Sequence, residues 1–118
     1  PACFAFQEAI LWRDLLLFGF CEEVHAVSIS DRTAHTVDLK AYFGHFYPTT
    51  DYLLIASGER LFRMEVDRSI RWQSVPLAVD GVIVHESDNT VVRGEGEWDP
   101  PGGWQPFTIS ALDGRSIN

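Results

Sequence analysis

Residues 94–104, Gly-Glu-Gly-Glu-Trp-Asp-Pro-Pro-Gly-Gly-Trp, hold the side chains with most chemical reach in this sequence. Glu95, Glu97 and Asp99 supply carboxylate oxygens, the hard ligands that an ion such as Ca²⁺ takes. The same acids beside Trp98 and Trp104 suit a cationic or sugar-like ligand, held by charge and by stacking. Two carboxylates are also the minimum for acid/base cleavage of a glycosidic bond, but nothing here separates a buried acid from an exposed one. The plain alternative is that the indoles pack the base of a long hairpin and the acids are solvated. Pro-Pro-Gly-Gly cannot continue a ladder and forces a protruding turn. Gly94-Glu95-Gly96 is no phosphate loop, because acids stand where the phosphate would sit.

A second aromatic concentration is Tyr42-Phe43-Gly44-His45-Phe46-Tyr47-Pro48. It reads as a connection whose rings plug the end of the core or a subunit contact, with Tyr42, His45 and Tyr47 as the sharper candidates for an exposed ligand platform. The histidines are spread out, with His25 and His35 expected as partly buried core residues and His45 and His85 as isolated side chains. No nucleophile elbow and no Cys/His spacing for zinc occurs, so no catalytic residue, metal centre or cofactor is assigned.

The 17 acidic residues outnumber 9 basic ones, giving a formal charge of −8. Such a field repels nucleic-acid phosphates and anionic membranes and favours a basic partner. The arginines are scattered singly and make no compensating patch. Two cysteines, Cys3 and Cys21, in apolar settings are too few for a disulfide framework and are expected as reduced core thiols. No signal-peptide order and no apolar stretch long enough for a membrane span is present, and the expected location is cytoplasmic. At 118 residues and 46% hydrophobic, the whole chain, 1–118, is expected to form one domain with a buried core.

The elements that must carry these side chains are strands. Phe62 to Val66, Ile70 to Gln73 and Phe107 to Ala111 alternate apolar and polar. Leu15 to Phe18, Tyr52 to Ile55 and Val82 to Val84 are continuous apolar runs, expected as strands covered on both faces. Ser30-Asp31-Arg32-Thr33 matches Val66-Asp67-Arg68-Ser69 at an offset of 36 residues, and Leu112-Asp113-Gly114-Arg115-Ser116-Ile117 is a third copy. Each copy follows an Asp-led strand, with Asp14, Asp51 and Asp80 as the leading residues and the third unit lengthened by an insertion. With three-residue loops the hairpins pair Ile29 with His35, Val27 with Val37 and His25 with Leu39, then Val66 with Ile70 and Met64 with Trp72.

Units of this length, built from short antiparallel strands with an Asp at the turn, resemble β-propeller blades, and Leu61 to Trp72 and Phe107 to Ile117 are similar to quinoprotein-type or WD-repeat strands. The sequence departs from true WD repeats in lacking Gly-His and Trp-Asp at the expected places. It also has about three units, whereas closed propellers hold about four to eight. The expected class is therefore all-β, an antiparallel hairpin meander of about three strand–turn–strand repeats, either propeller-blade-like or a compact sandwich or half-open barrel. The expected role is a non-catalytic interaction module whose acidic-aromatic loop contacts a protein, with a basic toxin-like protein as one candidate partner. The alternatives are a metal- or carbohydrate-binding protein or hydrolase using Glu95, Glu97 and Asp99, and a homodimeric, propeller-like structural subunit.

Overall fold

The computed structural model describes residues 6–99 and 102–117, and every described element is a β-strand. The first sheet is a meander of β1 (Glu8–Trp12), β2 (Leu15–Phe20), β3 (Glu23–Ser28) and β4 (Ala34–Asp38). The second repeats it with β5 (Phe43–Pro48), β6 (Leu53–Ser57), β7 (Leu61–Met64) and β8 (Ile70–Gln73). The third has β9 (Val82–Ser87), β10 (Val91–Glu97) and β11 (Trp104–Ser110), with a single Ile109–Ser116 bridge where a fourth strand would begin. All pairings are antiparallel. The all-β meander expected from the alternation is what forms.

The sheets stack face to face in chain order. Leu15, Leu17, Val24 and Ala26 of the first sheet meet Phe43, Phe46, Leu53, Ile55 and Met64 of the second in one core. Tyr52, Leu54, Ala56, Leu61 and Trp72 on the other face of the second sheet meet Val82, Val92 and Ile109 of the third in another. The molecule is a slab of 45 × 38 × 18 Å. Three separate antiparallel meanders packed in chain order form, in place of a two-sheet sandwich or a single half-open barrel.

Position in the stack corrects the continuous-run expectation. Tyr52 to Ile55 is indeed covered on both faces, because its sheet lies in the middle. Leu15 to Phe18 is covered on one face only: Leu15 and Leu17 are buried, while Leu16 and Phe18 remain nearly 40% exposed. In the third sheet Val82 is buried and Ile83 exposed for the same reason.

Both hairpin registers are also corrected. The Asp31 loop is longer than three residues, so Val27 pairs with Ala34, His25 with Thr36 and Val24 with Val37. That odd-numbered slip puts Val37 on the core face with Val24 and Ala26, while His25 and Val27 share the outer face with Thr36 and Ala34. His25 there stacks on Phe20 and hydrogen-bonds Thr36, and His35 is exposed on the edge strand, so neither is a core histidine. In the second hairpin Met64 pairs with Ile70 and Arg63 with Trp72, the step between them being a bulge at Arg71. The bulge sends Met64 to the first core and Trp72 to the second.

The repeated loops themselves are real at the level of single hydrogen bonds. Asp31 Oδ1 accepts from the Thr33 amide and hydroxyl, Asp67 Oδ1 from those of Ser69, and Asp113 Oδ1 from the Arg115 amide. The intervening residues Arg32, Arg68 and Gly114 all have positive φ. The leading residue of the third unit is corrected from Asp80 to Asp88. Asp14, Asp51 and Asp88 each precede the second strand of a sheet, whereas Asp80 precedes the first.

Cys21, in the β2–β3 turn, is disulfide-bonded, which corrects the reduced-thiol expectation. The chain's other cysteine, Cys3, lies outside the described residues, as does the Pro100-Pro101 part of the protruding turn. Among the described residues no helix is long and apolar enough to cross a membrane.

Candidate functional site

The stretch read as an aromatic connection is the first strand of the second sheet. A bulge at Gly44, where Phe43 pairs with Ser57 and His45 with Ala56, breaks the alternation and hides the strand from a period-two reading. It also allows Phe43 and Phe46, three residues apart, to pack together in the first core with ring centroids 4.8 Å apart. His45 and Tyr47 turn the other way. Tyr47 packs against the second core, while His45 stays exposed, 3.7 Å from Glu8 and 5.2 Å from the Phe6 ring. His45 is therefore not the isolated side chain expected.

The 94–104 stretch is a hairpin rather than a loop. β10 and β11 pair without interruption from Val91–Ser110 to Glu97–Trp104. Within β10 the glycines face inward. A Cβ at Gly94 would overlap the Ile83 carbonyl oxygen, and one at Gly96 the Leu77 carbonyl oxygen. Glu95 and Glu97 share the opposite face, as the spacing requires. At the tip the Trp98 amide donates to the Gly103 carbonyl and Asp99 Oδ1 accepts from the Gly103 amide, so Asp99 is a turn-forming acid.

These placements separate the acids. Glu95 Oε2 lies 2.6 Å from His85 Nε2 across the β9–β10 pair, so His85, too, has a partner. Glu97 sits elsewhere, at the wall of a cleft, and Asp99 is committed to its turn. Among the described residues no three His, Cys, Asp or Glu side chains converge as metal ligands.

The cleft, of about 490 Å³, lies where the beginnings of the three first strands meet. Phe6 comes just before β1, Tyr42 just before β5, and Asp80-Gly81 just before β9. Gly44, His45, Ser57, Val82, Ile83, Glu97 and Trp104 complete its lining. Four sequence candidates, Tyr42, His45, Glu97 and Trp104, are thus brought together; Glu95, Trp98, Asp99 and Tyr47 are not. The segment carrying Asp80 is strapped down at both ends. The Leu77 amide donates to the Glu59 carbonyl, the Val79 and Asp80 amides to the Glu97 carbonyl, and the Gly81 amide to the Gly58 carbonyl.

Inside the cleft the Tyr42 hydroxyl donates to Asp80 Oδ1 at 3.0 Å. Burial, that hydrogen bond and the negative charges of Asp80 and Glu97 push the Tyr42 phenol up to about 12. The same two carboxylates give the cleft a negative potential against aromatic walls. Phe6 and Trp104 are each more than 40% exposed there, although rings of this size are usually covered.

The chain matches no protein-family model and no curated protein. The site must be read from its own chemistry. Phe6, Asp80 and Ile83 were missed by the sequence reading. Asp80-Gly81 was legible as a turn, but its equivalence to Tyr42, one strand start earlier, needs the stacked sheets.

Proposed function

We propose that this protein is a non-catalytic binding module that receives a basic group of a protein partner in the acidic-aromatic cleft. The observation that carries the reading is the convergence of Asp80 and Glu97 with the rings of Phe6, Tyr42 and Trp104 in one open cavity. Rings and carboxylates together favour a cation by quadrupole attraction and charge. The −8 charge adds long-range attraction for a basic partner.

A photo-crosslinking residue at position 79, exposed beside Asp80 and outside the cleft lining, tests this. A basic protein should be captured there, with capture weakened by salt and by Glu97→Gln or Asp80→Asn. Capture that ignores both carboxylate substitutions would overturn the reading.

A second reading, a propeller-like structural subunit that pairs with another copy, is favoured by one observation. The outer face of the first sheet exposes the paired Leu11 and Leu16 of β1 and β2, with Phe18 and Phe20 following Leu16 along the same face of β2. Light scattering separates the two, since a monomeric mass removes the homodimer. The expected cytoplasmic location rested on the absence of signal-peptide order and of a membrane span, together with reduced thiols. The Cys21 disulfide instead favours an oxidising compartment, as structural disulfides are rare in the cytosol.

A further inference from the structure

The chemistry of the cleft narrows the class of cation, an inference that rests on the binding-module reading. The three first-strand starts do not form a flat slot. The Phe6 ring is inclined 34° to Tyr42 and 43° to His45, with centroids 6.3 and 5.2 Å away, so these rings make one continuous concave wall. Across Gly81 stands Trp104. A Cβ built on Gly81 would lie 3.7 Å from both the Trp104 ring and the Tyr42 hydroxyl, and nothing larger than glycine stands between them.

A guanidinium group is planar. It binds best between parallel ring faces or in a fork against two free carboxylate oxygens. The inclined wall offers no parallel pair, and with one oxygen of Asp80 taken by Tyr42 a fork is left to Glu97 alone. A primary ammonium has three N–H donors that lose water on entry and need acceptors. The side chains of Phe6, Trp104, Val82 and Ile83 in the lining supply no acceptor, which leaves Asp80, Glu97 and Ser57 to meet them. A fully alkylated ammonium has no donor to satisfy and is close to spherical. It meets inclined aromatic faces equally well and needs only diffuse negative charge nearby, which Asp80 and Glu97 provide.

We propose that the cleft bounded by Phe6, Tyr42, Trp104, Asp80 and Glu97 binds a quaternary ammonium group. On a protein partner the matching group is a trimethylated lysine side chain.

The probe is tetramethylammonium chloride, titrated at constant ionic strength against NaCl while the indole N–H resonance of Trp104 and the ring resonances of Tyr42 are followed. A saturable shift at both residues is expected, with methylammonium and methylguanidinium binding at least three-fold more weakly. Trp104→Ala should weaken binding about ten-fold and Asp80→Asn about three-fold, and Phe6→Ala, outside every strand, serves as the variant least exposed to folding defects. A response no greater than that to NaCl overturns the site. Tighter binding of methylguanidinium overturns the quaternary class and points to arginine. Loss of the tetramethylammonium response while partner crosslinking at position 79 still depends on Glu97 would remove this inference and leave the binding-module reading standing.

Discussion

Single carboxylates organise the turns, and their ionisation ties stability to pH. Asp31 and Asp67 are held below the usual carboxylate range by the hydroxyl and amide of Thr33 and Ser69, and Asp14 by Ser30. Asp88 is lowered likewise by the amides of Val91 and Thr90. A carboxyl whose folded value is depressed adds stability above its unfolded value, and that stability is lost as pH falls through the folded value. The urea midpoint should therefore be level from neutral pH down to about 5 and fall below an ordinary carboxyl value of 3.8. Asp67→Asn should flatten part of that fall, and an unchanged acid profile would deny the turn its role. Tyr42 has the opposite sign. Its phenol is raised to about 12, so the neutral form's advantage is whole below pH 10 and disappears as pH climbs towards 12. Phenolate absorbance in the folded protein should begin later than in unfolded chain, and Tyr42→Phe should remove the latest-titrating component.

At the scale of elements, alternation says which side chains oppose each other but not what covers them. Phe62-Arg63-Met64 alternates as a half-solvated strand would, yet β7 is buried on both faces. Arg63 is consequently a clamp between the second and third sheets. It donates to the Ala111 carbonyl at 2.7 Å, pairs with Glu65 at 2.7 Å and lies 4.3 Å over the Tyr52 ring. The Trp72 indole donates to the same carbonyl. Arg63→Ala should cost about 3 kcal/mol by leaving these groups without their buried partner, read as a shift of the urea midpoint. In β2 the contrast between faces gives a sharper check. Leu17→Ala, in the core, should cost about 2–5 kcal/mol, and Leu16→Ser, on the outer face, about 0.5 kcal/mol or less. Equal costs would mean that the outer face of the first sheet is covered in solution. Gly96→Ala should disrupt β10, because the new methyl would meet backbone that cannot rotate away.

For the whole molecule, the middle sheet decides cooperativity. β6 gives Leu53 and Ile55 to one core and Leu54 and Ala56 to the other, so neither core survives if that strand detaches. Unfolding should be one transition, with equal calorimetric and van't Hoff enthalpies. Trp12, in the first core, and Trp72, in the second, are placed to report separately. Trp12→Phe and Trp72→Phe variants should give coincident melting curves, and two separated melts would show the cores to be independent.

What local sequence determined here is whatever depends on a few neighbouring residues. The period-two pattern specified strands, and the Asp-Arg-Thr and Asp-Arg-Ser loops specified repeated turns, because side-chain acceptors and a left-handed residue act within three or four positions. The acidic-aromatic character of 94–104 was also plain. Register was not, since a bulge at Arg71 or Gly44 exchanges the two faces of a strand and is selected by packing on the next sheet. Nor was burial, which follows from whether a sheet lies in the middle of the stack or at its end. The candidate site belongs to this second kind. Phe6, Tyr42 and Asp80 lie far apart in sequence and share no motif, and they meet only because three successive sheets bring the starts of their first strands to one place.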